Sequence, residues 1–204
     1  TNSDVDEAKT NGTTTINAIQ PDVLKKSEAR QAIDNEVINK KTEIDNNVDA
    51  TIEEKEAAKS KVDEAAVEAK NNINHTEINQ AVDKAKEDGV TTVSHIQPNI
   101  VKKIAAKTAI DEVARIKKEA IDQTPGATTE EKEAAKSKVD EEVTKAKRNI
   151  NQAVTNNDVN QVEHNSTIAI NNIQPNIIKK IAAKTLIDQV ARAKKNNIDQ
   201  TSNA

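Results

Sequence analysis

The sequence predicts an all-α protein in which tandem three-helix-bundle repeats form an elongated rod. The repeat is visible because Ile-Gln-Pro occurs three times, at Pro21, Pro98 and Pro175, so that both intervals equal 77 (98 − 21 and 175 − 98). We call this interval the repeat period. A fixed period is typical of arrays that reuse one supersecondary unit. Apolar residues recur at three-to-four spacing, which predicts helices, and no segment shows the alternation of a strand.

The period divides the 204 residues into four segments. We expect residues 1–20 to be the C-terminal helix of a preceding repeat, residues 21–97 and 98–174 to be complete repeats, and residues 175–204 to be the first helix of a following repeat. Short turns between helices favour antiparallel neighbours, hence a bundle. The Ile-Gln-Pro junctions should be short and stiff, since the residue before proline avoids helix, and each repeat should advance the rod by about 30 to 35 Å.

The first helix of the second repeat is predicted to begin at Pro98, because a helix start leaves unpaired the N–H that proline lacks. Ile100 and Ile104 project from one face of this helix, where we expect them to touch the preceding repeat. A second stripe at helical spacing should pack within the repeat; it consists of Ala106, Ile110, Val113, Ala114 and Ile121.

The second helix is expected after a break at Thr124, Pro125 and Gly126. Thr128 and Glu131 have the spacing of a capping box, in which each residue's side chain accepts the other's backbone N–H. Acidic residues also suit the positive end of the helix dipole, and Glu130, Glu131 and Glu133 lie there. The seam expected to face neighbouring helices consists of Ala135, Val139, Val143, Ala146, Ile150 and Ala153.

The third helix is predicted to begin at about Asp158. Its apolar residues are Val159, Val162, Ile170 and Ile173; their counterparts are Val82, Ala85, Val93 and Ile96 in the first repeat, and Val5, Ala8, Ile16 and Ile19 in the N-terminal segment. Gly12, Gly89 and Ser166 share one repeat position. We interpret that position as a close contact between helices that requires a small residue.

Composition excludes several classes of function. The chain has no Phe, Trp, Tyr, Cys or Met, so its core must be built mainly from Ile, Val and Ala, and neither disulfides nor thiol chemistry are possible. No apolar run is long enough to cross a bilayer. Nucleic-acid binding is not expected, because the net charge is −4 and stacking aromatics are absent. No nucleophile, glycine-rich phosphate loop or carboxylate pair in an apolar pocket indicates catalysis.

Two metal hypotheses arise from the sequence. His75, His95 and His164 do not recur at equivalent repeat positions, so exposed histidines on helix surfaces are favoured over a metal site. Asp45, Asn47, Asp49 and Glu56 match positions 1, 3, 5 and 12 of a calcium-binding loop. However, Ala50 stands where that loop needs glycine, and Asp and Asn are also ordinary turn and cap residues. We therefore expect no metal, no cofactor and no catalytic residue.

A basic run on the first helix offers a possible surface for an acidic polymer. We favour its pairing with the acidic second helix, because aromatic anchors are absent. The residues of the run are Lys102, Lys103, Lys107, Arg115, Lys117 and Lys118.

Residues 127–153 (ATTEEKEAAKSKVDEEVTKAKRNINQA), 50–74 and 106–123 resemble a helical tandem repeat of unknown function from very large staphylococcal and streptococcal cell-wall-anchored surface proteins. The resemblance covers essentially the whole chain. It implies an extracellular, wall-attached stalk that carries an adhesive region. From the repeat architecture we expect a monomer whose partners are neighbouring repeats of the same chain. The alternative is a module that itself binds a host matrix protein, or like repeats on other cells during accumulation or biofilm formation.

Overall fold

The computed structural model describes residues 1–19 and 24–202. Over these residues the chain forms helices and no strand, which confirms the all-α prediction. The first Ile-Gln-Pro junction, predicted at Pro21, lies outside the described residues. The helices are α1 (Asn2–Asn17), α2 (Leu24–Asp45), α3 (Ile52–Asn74), α4 (Asn79–Ser94), α5 (Lys102–Asp122), α6 (Thr129–Gln152), α7 (Asn156–Asn171) and α8 (Lys179–Ser202).

The chain divides into two compact units. The first comprises Thr1–Asn46 and Glu56–Pro98, and the second comprises Asn47–Lys55 and Asn99–Ala204. The second unit therefore includes the connection between α2 and α3 together with the first turn of α3. Each unit contains one hydrophobic core.

In the first unit the core contains buried residues of α2, α3 and α4, including Ile33, Val62 and Val93. Gly89 of α4 lies against Ile33 and Ala69 of this core. A Cβ atom at Gly89 would stand 2.6 Å from the Cβ of Ala69 and 2.8 Å from the Cδ1 of Ile33. The expectation of a small residue is therefore correct at Gly89, and Ser166 at the equivalent position is buried. It is wrong at Gly12, where a Cβ would meet nothing within 4 Å.

In the second unit the core contains buried residues of α5, α6 and α7. The predicted stripes supply it: Ala106, Ile110, Ala114, Ile121, Ala135, Val139, Ala146, Ile150, Ala153, Val159 and Ile170 are buried, and Val113, Val143, Val162 and Ile173 are partly buried against them. These side chains are confirmed as core residues. Their helical periodicity was sufficient to identify them because each helix buries one apolar face.

Local signals set the starts of α6 and α7. The Thr128 hydroxyl accepts the Glu131 N–H, and a Glu131 carboxylate oxygen accepts the Thr128 N–H at 2.8 Å, which confirms the predicted capping box. Thr155 and Asp158 form a second capping box, so α7 begins two residues before the predicted start. Gly126 precedes α6 with φ of +82°, a backbone conformation that glycine adopts without steric cost.

The predicted start of the first helix is wrong by four residues. Helix α5 begins at Lys102 rather than at Pro98, and α8 begins at Lys179 rather than at Pro175. Both prolines are buried in non-helical segments. Ile104, on the other face of α5, is 57% exposed. Helix α5 begins later than predicted because its first N–H groups are capped by the carboxylate of Glu54, which is distant in the sequence.

Helices α1 and α8 contribute no buried side chain among the described residues. The apolar residues of α1 expected from the repeat, Val5, Ala8, Ile16 and Ile19, are all exposed. Over residues 1–19 and 24–202, no helix combines the length and hydropathy that a bilayer crossing requires.

Candidate functional site

The most elaborate polar arrangement in the second unit is centred on two glutamates one repeat period apart, Glu54 and Glu131. Each lies in the first turn of its helix. One carboxylate oxygen of each accepts the backbone N–H of the threonine three residues earlier, at 2.9 Å from Thr51 and 2.8 Å from Thr128. The threonine hydroxyls accept the glutamate N–H groups in return. This half of the arrangement is local and follows from the sequence Thr-x-x-Glu.

The other carboxylate oxygen of each glutamate binds a second helix. The Oε1 atom of Glu54 accepts the N–H groups of Val101 and Lys102 at 2.9 and 2.8 Å. The Oε1 atom of Glu131 accepts those of Ile178 and Lys179 at 2.8 and 3.0 Å. These N–H groups belong to the starts of α5 and α8, which a helix cannot satisfy internally. We call this arrangement, one carboxylate bonded to two helix starts, the carboxylate bridge.

The carboxylate bridge supplies a cap that the sequence near α5 lacks. Val101 is the N-cap residue of α5 and makes no capping bond with its side chain. Glu54, 47 residues earlier, takes that role. Because two helix N-termini point their partial positive charge at one carboxylate, the arrangement favours a negative charge more strongly than an ordinary cap does.

The pKa values of both glutamates reflect these bonds. The N–H groups of Lys179, Thr128 and Ile178 lower the pKa of Glu131 to about 2. Burial raises the pKa of Glu54, but its bonds with backbone N–H groups at Thr51, Lys102 and Val101 outweigh burial, so that this pKa is also lowered. Both carboxylates are therefore ionised at neutral pH, the form that accepts all these bonds.

A loop of the second repeat is seated beside the Glu54 bridge. We call residues 151–156 the connecting segment, since they link α6 to α7. The Ile52 N–H donates to the Val154 carbonyl oxygen at 2.9 Å, and the Thr51 hydroxyl donates to Asn156 Oδ1 at 2.8 Å. The Asn156 N–H donates to Glu53 Oε2 at 2.9 Å. The start of α3 is thus hydrogen-bonded both to the start of α5 and to the connecting segment.

Lys103 completes this arrangement as a buried cation. Its ammonium donates to the carbonyl oxygens of Val48 and Asn151, at 3.0 and 2.9 Å, and only 4% of the residue is exposed. Burial lowers the pKa of Lys103. Asn151 lies at the C-terminal end of α6, where helix carbonyls lack internal partners and the dipole favours a cation. In the first unit Lys26, which occupies the same repeat position, makes the same bond to the Asn74 carbonyl at 2.8 Å.

The predicted pairing of the basic run with α6 is correct for only one of the residues with a described side-chain partner. Lys118 pairs with Asp140 of α6. Arg115 pairs instead with Glu112 and Glu119 on its own helix, and Lys103 and Lys117 donate to backbone carbonyls. The repeat period could have shown that Lys26 and Lys103 occupy equivalent positions and have the same structural role.

The residues of the calcium hypothesis have other partners. Asp45 and Glu56 both pair with the Lys59 ammonium, at 2.9 and 2.6 Å. The side-chain oxygen of Asn47 accepts the N–H groups of Asp49 and Ala50, which is the turn role weighed against calcium.

The three histidines belong to the second metal hypothesis. His75, His95 and His164 are exposed, as expected. The part of the chain that the structure describes contains no group of three or more His, Cys, Asp or Glu side chains arranged to hold a metal.

Comparison with known proteins gives a family and several relatives. The family model described as Domain of Unknown Function (DUF1542) matches residues 25–101 and 102–178. Extracellular matrix-binding protein EbhA of Staphylococcus aureus strain Newman is 28% identical over 199 residues, which cover 98% of this chain and 6% of that protein. Extracellular matrix-binding protein ebh of strain NCTC 8325 is also 28% identical, with 98% and 2% covered. The chain thus spans a small fraction of these relatives. No solved structure matches it significantly.

Proposed function

Because this chain belongs to the DUF1542 family, whose model matches it twice in tandem, we propose that it is a non-enzymatic spacer within an extracellular bacterial surface protein. In this proposal residues 21–97 and 98–174 are three-helix-bundle repeats, residues 1–20 and 175–204 belong to neighbouring repeats, and the array is an elongated rod. Such arrays gain stability from each interface between neighbouring repeats. The proposed spacer needs no cofactor, metal or catalytic residue.

The observation that carries the proposal is the recurrence of the carboxylate bridge. Glu54 and Glu131 each connect the second helix of one sequence repeat to the start of the helix that opens the next. A spacer must hold its direction over many repeats. Charge-assisted hydrogen bonds are short and directional, and therefore suit a stiff joint better than a flexible linker does.

The relatives support the location we propose. Their name is extracellular matrix-binding protein, which supports an extracellular position for this chain. We propose that the array is attached to the cell wall, that neighbouring repeats are its main partners, and that it projects an adhesive region. Nucleic acid and membrane insertion have no part in the proposal.

Small-angle X-ray scattering tests the spacer proposal directly. A compact globule of this length has a radius of gyration of about 17 Å. We expect a monomer with a clearly larger value, and a double Glu54→Gln, Glu131→Gln variant with a broader distribution of interatomic distances because its joints are weakened. A wild-type radius of gyration equal to that of the compact globule would refute the rod.

A binding module is the second candidate, and it is favoured by the relatives' name, extracellular matrix-binding protein. Its partner would be a host matrix protein or like repeats on other cells. Titration of the chain onto an immobilised extracellular-matrix preparation separates the two functions. Saturable binding by the chain itself would support the binding module, whereas a pure spacer should give no more signal than an unrelated helical protein of similar charge.

A further inference from the structure

The second unit has a surface groove at the start of α6. The equivalent start of α3, one repeat period earlier, is already bound by the connecting segment. The groove has a volume of about 550 Å³ and is formed by the start of α6 together with residues 174–179; Thr128, Glu130 and Glu131 lie on it. Every lining residue is identical to its counterpart in the preceding period except Ile178, whose counterpart is Val101. The two locations therefore offer nearly the same chemistry.

At the earlier location, the connecting segment contacts residues that correspond to Thr128 and Glu130 of the groove and to Thr129 between them. Thr51, Ile52 and Glu53 bind this segment. Their counterparts at the groove are Thr128, Thr129 and Glu130. Three hydrogen-bonding positions thus correspond in type and spacing between the two locations.

Burial differs between the two locations in the way that an occupant would produce. Thr51 is fully buried, whereas Thr128 is half-buried. Lys103 is 4% exposed and donates to Asn151, whereas its counterpart Lys180 is exposed. A segment seated at the groove would cover Thr128 and give Lys180 a helix C-terminus to bind.

The sequence of the repeat supplies a suitable occupant. Asn151 and Asn156, at the two ends of the connecting segment, correspond to Asn74 and Asn79 of the first repeat. The Val154 contact uses only a backbone carbonyl and therefore does not require valine. The corresponding loop of a repeat that has these two asparagines thus offers the same polar groups.

We infer that the groove at Thr128–Glu131 docks the loop between the second and third helices of the repeat that α8 begins. This inference rests on the proposed tandem function. The occupant's residue at the Val154 position accepts the Thr129 N–H. Its asparagine at the Asn156 position accepts from the Thr128 hydroxyl and donates to Glu130. The groove and the carboxylate bridge then form one joint, in which the start of a second helix binds two parts of the next repeat.

A chain extended by one set of helices tests the inference. Thr201 corresponds to Thr124, so a copy of residues 125–174 is appended directly after Thr201. Amide hydrogen exchange measured by NMR should slow at Thr129 by at least about tenfold relative to the unextended chain, since an opening costing about 1.4 kcal/mol more is tenfold rarer. Ile52, which has its partner in both chains, should not change.

Matched glutamate variants provide the control. Glu53→Ala removes an existing bond to Asn156, so exchange at the Asn156 amide should accelerate in both chains. Glu130→Ala should accelerate exchange at the corresponding new asparagine of the extended chain. Both alanine substitutions remove a first-turn negative charge, from α3 and from α6 respectively. The effect of losing that charge on the helix is therefore the same in the two variants.

The contradicting outcomes are distinct from those of the spacer test. Fast exchange at Thr129 in an extended chain whose added residues are helical by circular dichroism would overturn the docking inference, and so would added residues that fail to fold. An elongated particle with an unprotected Thr129 refutes docking alone, whereas a compact particle refutes the spacer.

Discussion

Substituting Gly89 by alanine tests how closely α4 approaches the other helices of the first core. The new Cβ would stand 2.6 Å from the Ala69 Cβ and 2.8 Å from the Ile33 Cδ1. Carbon atoms pack at about 3.5 to 4.0 Å, so the helices must separate by roughly 1 Å. Ile33 can rotate its terminal methyl group, but the Ala69 Cβ is fixed to its backbone.

The magnitude follows from two opposing effects. Overpacking a core costs about 1 to 3 kcal/mol, whereas alanine stabilises a helix interior by about 1 kcal/mol relative to glycine. The difference between these effects is a decrease of up to about 2 kcal/mol in the free energy of unfolding for Gly89→Ala. For a unit of this size, each kcal/mol lowers the melting temperature by about 4 to 8 °C.

Gly12→Ala is the matched control, because Gly12 occupies the same repeat position with nothing within 4 Å of its Cβ direction. Here only the helix-propensity gain applies, so helicity should rise slightly and the melting temperature should not fall. Thermal unfolding by far-ultraviolet circular dichroism measures both variants; tryptophan and tyrosine fluorescence is impossible in this chain. A Gly89→Ala protein that melts at or above the wild-type temperature would show that the contact at Gly89 does not constrain packing.

Three further predictions concern the second core, acid and calcium. Ile110 is fully buried, so Ile110→Ala should lower stability by about 2 to 4 kcal/mol in denaturant unfolding, whereas Ile104→Ala at an exposed site should change it by less than about 0.5 kcal/mol. The pKa of Glu131 falls from 4.5 to about 2 on folding, so its stabilising contribution is complete above pH 4.5 and disappears as the pH falls towards 2. Hydrogen exchange at the Ile178 amide, corrected for its intrinsic rate, should accelerate as the pH falls through that range. Glu131→Gln should accelerate this exchange already at neutral pH, whereas Glu141→Gln, at an exposed site, should not. Millimolar calcium should leave the melting temperature unchanged relative to chelator, because Asp45 and Glu56 already pair with Lys59; an upward shift abolished by Asp45→Ala would contradict this interpretation.

Sequence reasoning succeeded where structure depends on local patterns. The helical stripes identified the core around Ile110 and Val139 because burial of one helix face repeats every three to four residues. The capping box of Thr128 and Glu131 was predictable for the same reason, since both partners lie within one turn.

It failed where the stabilising partner is distant in the chain. Proline suggested a helix start at residue 98, but the N-terminus of α5 depends on Glu54, 47 residues earlier. The sequence placed Lys103 in a surface charge pattern, although its partners are carbonyl oxygens of Val48 and Asn151. Neither set of hydrogen bonds produces a periodic pattern in the sequence of a single repeat. Both become recognisable only when equivalent residues of successive repeats are compared.

The polar character of the carboxylate bridge suits a chain of this composition. With no aromatic residue, an apolar joint of similar strength would need many exposed aliphatic side chains, and these would form an adhesive patch wherever a neighbouring repeat was absent. A carboxylate remains well solvated in that situation. One carboxylate oxygen of Glu131 accepts a hydrogen bond at the start of its own helix, and the other accepts one at the start of α8. Folding of α6 therefore orients the Glu131 carboxylate before α8 binds to it. The joint is thereby preorganised, and its strength depends on ionisation of one side chain, so that acid weakens it.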